Sequence, residues 1–368
     1  MGSSPPYPPT TASLGLIPTI SVDVPICAVF LILFVLGAAS HMTIFQVNRA
    51  RGHKFIISGM MFGFCMARII TMVMRIVWAT RPTNIRIAIA ANIFIYAGVV
   101  LLFVVNVIFA QRILRACHPN TGWHPLFHHC FTALYVLIVL TLIMLITSVI
   151  QSFYTLNDNT RRIDRSILLY GQTFYCVVSF LPILIVIGGL VIPRETRVEK
   201  FGQGRFRTKI AILLTTSFLL CLGACFRVGT NYAGGDRPIE DPAGYQGKAC
   251  FYIFNFTIEI IVILLYVIVR VDKRFWVPDH SKKRGDYSRG RDIQDDKGEN
   301  KSVKSVGEGN MGDMIATEEE TFDNMTNGEM IRSSTKEAEV DEEKGAKGEE
   351  STPSPLSNHQ PVMEANCV

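Results

Sequence analysis

Long apolar stretches alternate with short polar connections over the first three quarters of the chain. Seven stretches reach the length of about 20 residues that a helix needs to cross a bilayer core of roughly 30 Å. They are residues 24–46, 55–78, 87–110, 130–151, 167–192, 210–232 and 249–271. The first stretch follows a segment without Lys or Arg and is too long for the apolar part of a signal peptide. The pattern therefore predicts an all-α protein, a bundle of seven transmembrane helices.

The last part of the chain differs in composition from these apolar stretches. Residues 1–291 contain 29 Lys and Arg against 12 Asp and Glu, whereas residues 292–368 contain 7 against 19. A segment so rich in acidic and other polar residues cannot bury enough apolar surface to form a core. We therefore expect three regions: an extracellular N-terminal segment 1–23, a seven-helix membrane domain 24–278, and a disordered acidic cytoplasmic C-terminal tail 279–368.

The Lys and Arg residues of the connections predict the orientation in the membrane. Cytoplasmic loops carry an excess of these residues. Alternate compartments carry 19 against 7 of them when the segment 270–291 is included. The N-terminus is therefore expected outside and the C-terminus in the cytoplasm, in the plasma membrane or an endomembrane. An even number of spans would place the basic loop 193–209 and the segment 270–291 on opposite sides, which this excess disfavours.

A basic cluster follows the last span and is a candidate contact for lipid headgroups. It consists of Lys282, Lys283 and Arg284. Each basic residue near an anionic membrane surface contributes about 1 kcal/mol to binding. The alternative is that the cluster acts only as the positive signal for the cytoplasmic side. Membrane lipids are thus expected partners, and the cytoplasmic partners of the tail are left open.

Ionisable residues within the apolar stretches carry the strongest functional signal, because an unpaired charge in hydrocarbon costs a few kcal/mol. Arg68 and Arg75 lie seven residues apart in the second stretch, which is close to two helical turns. Arg227 lies in the sixth stretch and Glu259 in the seventh, where it is the only acidic residue within any predicted span. We predict a buried ion pair between Glu259 and Arg68, with Arg75 or Arg227 as the alternative partner.

The surplus of positive charge predicts a water-accessible cavity between spans 2, 3, 6 and 7 that opens to the outside. Arginines in such a cavity suit the anionic group of a lipid headgroup or of another amphipathic small molecule. The alternative is a structural role, since arginines near span ends can reach the interface and a buried pair can simply fix helix packing. The candidate ligand-binding residues are Arg68, Arg75, Asn92, Arg227, Asn255 and Glu259.

Histidine and cysteine residues give weaker signals. Four His residues fall between positions 111 and 129, but their spacing matches no standard metal site. We therefore expect no metal and no other cofactor. Cys27 and Cys250 both lie at predicted outer ends of spans, and the sequence leaves open whether they form a disulfide.

The motifs of several protein classes are missing. There is no phosphate-binding Gly-rich loop, zinc-protease helix motif or Gly-x-Ser-x-Gly elbow, so we expect no enzymatic activity, and we expect no nucleic acid partner. The seventh stretch has no Lys for a retinal Schiff base, and Ala110-Gln111-Arg112 stands where G-protein-coupled receptors usually have an acidic-Arg-Tyr sequence. A transporter-like protein is the first interpretation, and a receptor or sensor without retinal and without the usual G-protein-coupled receptor motifs is the alternative.

Several short stretches resemble an uncharacterised fungal family of seven-span membrane proteins. They are residues 66–68, 74–79, 109–115 and 270–279. More distantly, the chain is similar to the fungal lipid-translocating exporter family, through the arginine pair in span 2, the arginine late in span 6 and the carboxylate in span 7. The resemblance implies a plasma-membrane or endomembrane location, handling of lipids or toxic amphipathic compounds, and no enzymatic activity.

Overall fold

The fold was taken from a computed structural model of the chain. It describes residues 5–8, 11–52, 55–193, 198–234, 237–278, 281 and 283–287. Among these residues, seven helices are long and apolar enough to cross a membrane. This confirms the predicted all-α bundle of seven transmembrane helices. The disorder predicted for the tail concerns residues that lie outside the described ones, apart from 281 and 283–287.

The seven long helices are labelled in chain order. They are α1 (Ile20–Ala50), α2 (Ile56–Thr80), α3 (Ile85–Cys117), α4 (Pro125–Tyr154), α5 (Asp158–Val191), α6 (Phe206–Gly234) and α7 (Lys248–Ile268). Helix α7 contains a π-helical turn, Ile253–Thr257, between two α-helical parts. Such turns in α-helices are frequent at functional sites.

Helix α3 occupies the interior of the bundle. It packs against α2, α4, α5 and α6, and it has the largest buried share of the seven spans. Helices α1 and α4 have the smallest buried shares, and their exposed side chains are mainly apolar, which suits contact with lipid tails. The core between the helices is formed largely by aromatic and branched aliphatic side chains, such as Phe34, Phe64, Phe103, Phe109 and Phe256.

Several helices begin earlier than the apolar pattern predicts, and in α1 and α5 the added turns contain acidic side chains. Helix α1 begins at Ile20, so Asp23 belongs to its first turn, where a carboxylate is favoured by the helix dipole. Helix α5 begins at Asp158, because the Asn157 side chain accepts hydrogen bonds from the backbone N–H groups of Asn159 (2.9 Å) and Thr160 (3.4 Å). Most of the loop predicted at 152–166 is therefore the exposed first part of α5.

The N-terminal segment before α1 folds back over the end of the bundle. The backbone N–H of Tyr7 donates to the carbonyl of Phe153 (2.8 Å), at the end of α4. Further along, the N–H of Gly15 donates to the carbonyl of Gln246 (2.9 Å), just before α7. Gly15 has a φ of +87°, a conformation that favours glycine. The segment therefore connects the ends of α4 and α7.

Candidate functional site

The predicted pairing of Arg68 with Glu259 is confirmed. Arg68 Nε donates to Glu259 Oε2 and Arg68 Nη2 donates to Glu259 Oε1, both at 2.6 Å. This two-point geometry is the strongest arrangement between a guanidinium and a carboxylate. The Arg68 side chain is 0% exposed and that of Glu259 is 2% exposed. The pair joins α2 to α7 in a packed interior.

Two further donors of Arg68 are also occupied. Its Nη1 donates to the backbone carbonyls of Phe94 and Ile95 in α3, both at 3.1 Å. The guanidinium lies directly against Gly98, where an added Cβ would stand 2.9 Å from the Arg68 Cζ atom. The pair and the carbonyls take up four of the five N–H donors of Arg68, so this buried residue has little hydrogen-bonding capacity left for an external anion.

Arg227 from α6 lies on the other side of Glu259. Its Nη1 is 3.8 Å from Glu259 Oε1, and it donates a hydrogen bond of 3.4 Å to Asn255 Oδ1. Asn255 in turn donates to the carbonyl of Phe251 (2.9 Å). Two arginines thus share one carboxylate, and the Arg227 side chain is 11% exposed. The inner cluster therefore carries one excess positive charge.

Arg75 pairs with a residue that the sequence analysis placed outside the membrane spans. Arg75 Nη2 donates to Asp23 Oδ1 at 2.9 Å, and the Asp23 side chain is 0% exposed. Arg75 Nε donates to the hydroxyl of Tyr252 (3.0 Å), which itself donates to Asp23 Oδ1 (2.7 Å). Lys248 Nζ binds Asp23 Oδ2 at 2.6 Å. Glu259 is the only acidic residue within the predicted spans, but the long helices also include Asp23 in α1 and Asp158 and Asp164 in α5.

Arg75 also reaches the N-terminal segment. Its Nη2 donates to the carbonyl of Gly15 at 2.7 Å, and its guanidinium stacks on the ring of Phe251 with 4.2 Å between Cζ and the ring centroid. Arg75 therefore connects α1, α2 and α7 with the segment that covers this end of the bundle. These contacts make it a structural bridge, and they leave it poorly placed as the predicted contact for a soluble anion.

A third polar cluster lies in the interior below the ion pairs. The Tyr266 hydroxyl of α7 donates to Asn106 Oδ1 of α3 and lies 3.1 Å from Thr216 Oγ1 of α6. Asn106 Nδ2 donates to Ser217 Oγ at 3.0 Å. These uncharged groups satisfy one another, so they hold α3, α6 and α7 together without needing a ligand.

The structure places its cavity elsewhere than predicted. A cavity of about 500 Å³ lies at the end of the bundle where the N-terminal segment folds back. Its wall comes from that segment and from α3, α4 and α5, with Asn231 of α6 and Trp78 of α2 at the margin. Of the six candidate residues, Asn92 lines this cavity, whereas the other five lie outside its wall. The arginines expected between spans 2, 3, 6 and 7 each lie within 4 Å of a carboxylate, and a cavity among these spans stays a prediction.

The first turns of α5 give this cavity its charge. Arg161, Asp164, Arg165 and Leu168 recur at intervals of three and four residues, which places them on one face of a helix. Together with Arg162 they line the cavity. Arg161 is held in place by a hydrogen bond from its Nε to the carbonyl of Thr155 (3.0 Å). Three guanidinium groups against one carboxylate leave this part of the cavity wall positively charged.

The rest of the wall is largely apolar. The side chains of Leu16, Trp78, Val149 and Leu168 contribute to it, together with the polar groups of Asn92. Ligand cavities of about 300–1,000 Å³ typically combine apolar walls with a few polar groups that fix orientation. This cavity therefore has the size and the lining of a binding site for an amphipathic molecule.

Asp164 is the one acidic side chain in the described wall of this cavity. It is only 3% exposed, and its backbone carbonyl accepts a hydrogen bond from Ser148 Oγ of α4 (2.7 Å). Its side-chain atom Oδ2 is buried and has no hydrogen-bond donor among the residues that the structure describes. Native proteins seldom leave a buried carboxylate oxygen without a donor, because the desolvation is then uncompensated.

A shallower depression adjoins the cavity on the exposed side of α5. It has a volume of about 330 Å³ and is lined by Asn159, Arg162, Ile163, Ser166, Ile167 and Tyr170. Arg162 borders both the depression and the cavity. Ile163 and Tyr170 are half exposed, as side chains in contact with lipid would be. Arg162 therefore stands between the cavity and the outer surface of the bundle.

The candidate lipid-contact cluster lies at the end of the membrane domain opposite to the cavity. Lys282 lies outside the described residues, whereas Lys283 and Arg284 are exposed. Arg284 Nη1 donates to Asn120 Oδ1 at 2.7 Å. The contact with lipid headgroups stays a prediction for these residues.

Asp272 closes the same end of the bundle. Burial alone would raise the pKa of its carboxyl. Hydrogen bonds from Arg270 and from Asn48 Nδ2 (3.0 Å) have the opposite and larger effect, so the pKa lies below its ordinary value. The carboxylate thereby ties the end of α1 to the residues that follow α7. Arg270 adopts a left-handed backbone conformation (φ +50°), which ends α7.

The cysteine and histidine residues have local roles. Cys27 and Cys250 are free thiols, and Cys27 Sγ lies 3.2 Å from the Tyr252 hydroxyl. His124 caps α4 through its Nδ1, which accepts from the backbone N–H of Leu126 (3.2 Å). His118 Nε2 lies 2.8 Å from the carbonyl of Gly189, in α5. These contacts connect the short turn between α3 and α4 to neighbouring helices.

The fold and its buried ion pairs define the chain as a multi-pass integral membrane protein of seven helices. Residues 198–276 are similar to the family described as "Protein of unknown function (DUF3112)". This segment includes α6, α7, Arg227 and Glu259, but neither Asp23 nor the cavity wall on α5. No curated protein and no solved structure matches the chain. The similarity agrees with the resemblance to an uncharacterised family, and the relationship to lipid exporters stays a prediction.

Proposed function

We propose that this protein binds an amphipathic molecule with an anionic headgroup in the cavity beside α5 and handles it as a transporter rather than as an enzyme. The observation that carries the proposal is the set of three arginines, Arg161, Arg162 and Arg165, on the wall of an otherwise largely apolar cavity. Guanidinium groups bind phosphate and carboxylate groups through paired hydrogen bonds, and the apolar wall suits a hydrocarbon chain.

The position of Arg162 supports access from the membrane. Its side chain borders the cavity on one side and the exposed depression on the surface of α5 on the other. A headgroup that slides along α5 would keep a guanidinium contact while its chain stays among the exposed apolar side chains. An amphipathic lipid uses such a route more easily than a soluble ion does, because its chain remains in hydrocarbon throughout.

In this proposal the buried ion pairs have a structural task. Arg68 and Glu259 hold α2 against α7, and Arg75 and Asp23 hold α1 and the N-terminal segment in place. A buried pair costs several kcal/mol when one partner is removed, so these residues are needed to keep the cavity walls in register. They act on the ligand through the position of the helices.

A sensor or receptor is the second candidate function, and one contact favours it. Arg75 binds the carbonyl of Gly15, in the segment that covers the cavity, and the hydroxyl of Tyr252, directly before the π-helical turn of α7. A ligand that displaces the covering segment would therefore act on α7. With the predicted orientation, that helix leads towards the cytoplasmic side.

The binding test removes charge from the cavity and leaves the fold intact. Arg162→Gln, alone and with Arg165→Gln, is expected to weaken binding of a fluorescent single-chain phosphate amphiphile by at least about tenfold, since a charge-assisted hydrogen bond contributes about 1.5–3 kcal/mol. Binding is measured by fluorescence anisotropy on the full chain in detergent. Arg86→Gln is the matched control, because Arg86 is an exposed arginine at the same end of the bundle and outside the cavity wall. Equal affinity of all variants would overturn the proposal.

A flux measurement separates the two candidate functions. The transporter proposal expects the purified protein in sealed vesicles to move the labelled amphiphile between leaflets without any partner, and expects Arg162→Gln to slow that movement. The sensor proposal expects binding without movement. A protein that binds the probe through Arg162 and leaves its leaflet distribution unchanged would therefore replace the first candidate with the second.

A further inference from the structure

Asp164 adds a second kind of chemistry to the cavity wall. It is buried beside three arginines, yet its Oδ2 atom has no donor in the described part of the chain. The carbonyl of the same residue is already satisfied by Ser148, so the orphan group is the carboxylate itself. A buried carboxylate oxygen next to a cavity of ligand size calls for a hydrogen-bond donor from the ligand.

We infer that the ligand has a zwitterionic headgroup, whose anionic group binds the arginines of α5 and whose ammonium group donates to Asp164. This inference rests on the proposed function and deepens it by naming the headgroup chemistry. An ammonium group offers three N–H donors and a positive charge, and both match a carboxylate without a donor. A purely anionic headgroup would bring negative charge towards Asp164 and leave its oxygen unsatisfied.

The spacing on α5 fits a headgroup with both charges close together. Arg161 lies three residues before Asp164, so its guanidinium and the carboxylate are neighbours on one helix face, and Arg165 lines the same cavity. The phosphate and ammonium of an ethanolamine-type headgroup are separated by two carbon atoms. Such a headgroup can therefore contact an arginine and Asp164 at the same time, while its chain lies along Trp78 and Val149.

The test compares three single-chain lipids that differ only in the headgroup. Lysophosphatidylethanolamine has a phosphate and N–H donors, lysophosphatidylcholine has the same charges without N–H donors, and lysophosphatidylglycerol has a phosphate and hydroxyls without a cation. Each competes with the fluorescent amphiphile for the full chain in detergent. We expect the ethanolamine lipid to bind about tenfold more tightly than the other two, because it alone can give Asp164 a hydrogen bond from a cationic donor.

Substitution of Asp164 gives the decisive comparison. In Asp164→Asn the preference for the ethanolamine lipid is expected to disappear, while binding of the glycerol lipid stays the same or becomes tighter. Thr147→Ala removes a hydroxyl from the exposed side of α4, outside the cavity wall, so it should leave all three affinities and their ratios unchanged. Ratios of affinities are compared because they do not depend on the folded fraction of each variant.

The outcomes distinguish this inference from the proposed function. If Arg162→Gln weakens all three lipids but Asp164→Asn leaves their ratios unchanged, the zwitterion inference is overturned and the anion-binding cavity stands. If the wild-type protein prefers the glycerol lipid, the inference is also overturned. If none of the lipids depends on Arg162, the proposed function itself has failed.

Discussion

At the residue scale, Arg68 shows how a charge is kept inside the bundle. Its Nε and Nη2 bind Glu259, and its Nη1 binds two carbonyls of α3. The fit is close, since the guanidinium fills the space that Gly98 leaves beside α3. Removing Glu259 would leave Arg68 and Arg227 uncompensated, whereas replacing both Arg68 and Glu259 with apolar side chains of similar volume would leave only Arg227 without its carboxylate.

The pair therefore predicts non-additive stability. Glu259→Met alone leaves two arginines without a carboxylate and is expected to destabilise the protein by about 3–5 kcal/mol. Arg68→Met is expected to cost less, because Arg227 still lies beside Glu259, and the double variant is expected to be more stable than Glu259→Met. Recovery should be incomplete, because Arg227 also loses its contact with Glu259. Unfolding of the purified protein in detergent, followed by tryptophan fluorescence on heating, measures this order. A double variant that loses as much stability as the two single variants combined would contradict direct coupling.

Asp23 shows the opposite case at the same scale, a residue whose role was not visible in the sequence. It stands directly before the apolar run that begins at 24, so the sequence predicts that it belongs to the exposed segment 1–23. Its burial depends on Arg75, Tyr252 and Lys248, which come from other helices. The available signal was that Arg75 lacked a nearby acidic partner while Asp23 was the acidic residue closest to the predicted outer end of α1.

At the element scale, α5 determines where the cavity lies. The polar residues 152–166 predict a loop between two apolar stretches, yet the Asn157 cap starts a helix there that continues to Val191. The recurrence of Arg161, Asp164, Arg165 and Leu168 at helical intervals was the signal that could have shown this. Hydropathy measures only where a helix enters hydrocarbon, so it underestimates helices that extend beyond the membrane.

The packing of α5 against α6 predicts a specific cross-link. Cys176 Sγ of α5 and Cys225 Sγ of α6 are 3.3 Å apart, close enough to form a disulfide with a small movement. Copper phenanthroline should therefore join the two helices, because two copper(II) complexes accept one electron each while the two thiols release two protons and form the disulfide. The experiment uses a Cys221→Ser variant with a protease site inserted between α5 and α6. After oxidation and cleavage, the two halves of the chain should run as one band on a non-reducing gel.

Two matched variants make this prediction sharp. Cys176→Ser in the same background should abolish the cross-link, because it removes the α5 thiol of the described Cys176–Cys225 pair. Cys250→Ser should leave it unchanged, since Cys250 is a free thiol outside this pair. If both Cys176 and Cys225 are present and the two cleaved halves of the chain still separate after oxidation, α5 and α6 do not pack as described.

At the scale of the whole molecule, the fold and the central ion pair could be predicted, whereas the cavity could not. Seven apolar stretches predict seven spans because hydropathy is a local property, and Glu259 was the single carboxylate available to Arg68 within the predicted spans. The cavity depends on how the segment around Tyr7 and Gly15 folds back onto the ends of α4 and α7. That contact joins residues far apart in the chain, and no local pattern encodes it.

The orientation in the membrane decides which compartment supplies the ligand. Loops at the cavity end belong to the side that carries few Lys and Arg, so the cavity is expected to open outside the cytoplasm. A fluorescent amphiphile bound beside α5 should then be quenched by a membrane-impermeant quencher added to intact cells or to sealed vesicles of the same orientation. Arg162→Gln, which removes the bound probe, provides the control for quenching of unbound dye.

An epitope tag placed before residue 5 should be stained without permeabilisation, and a tag after residue 368 should be stained only with permeabilisation. Staining of the C-terminal tag alone on intact cells would reverse the orientation and move the binding step to the cytoplasmic side.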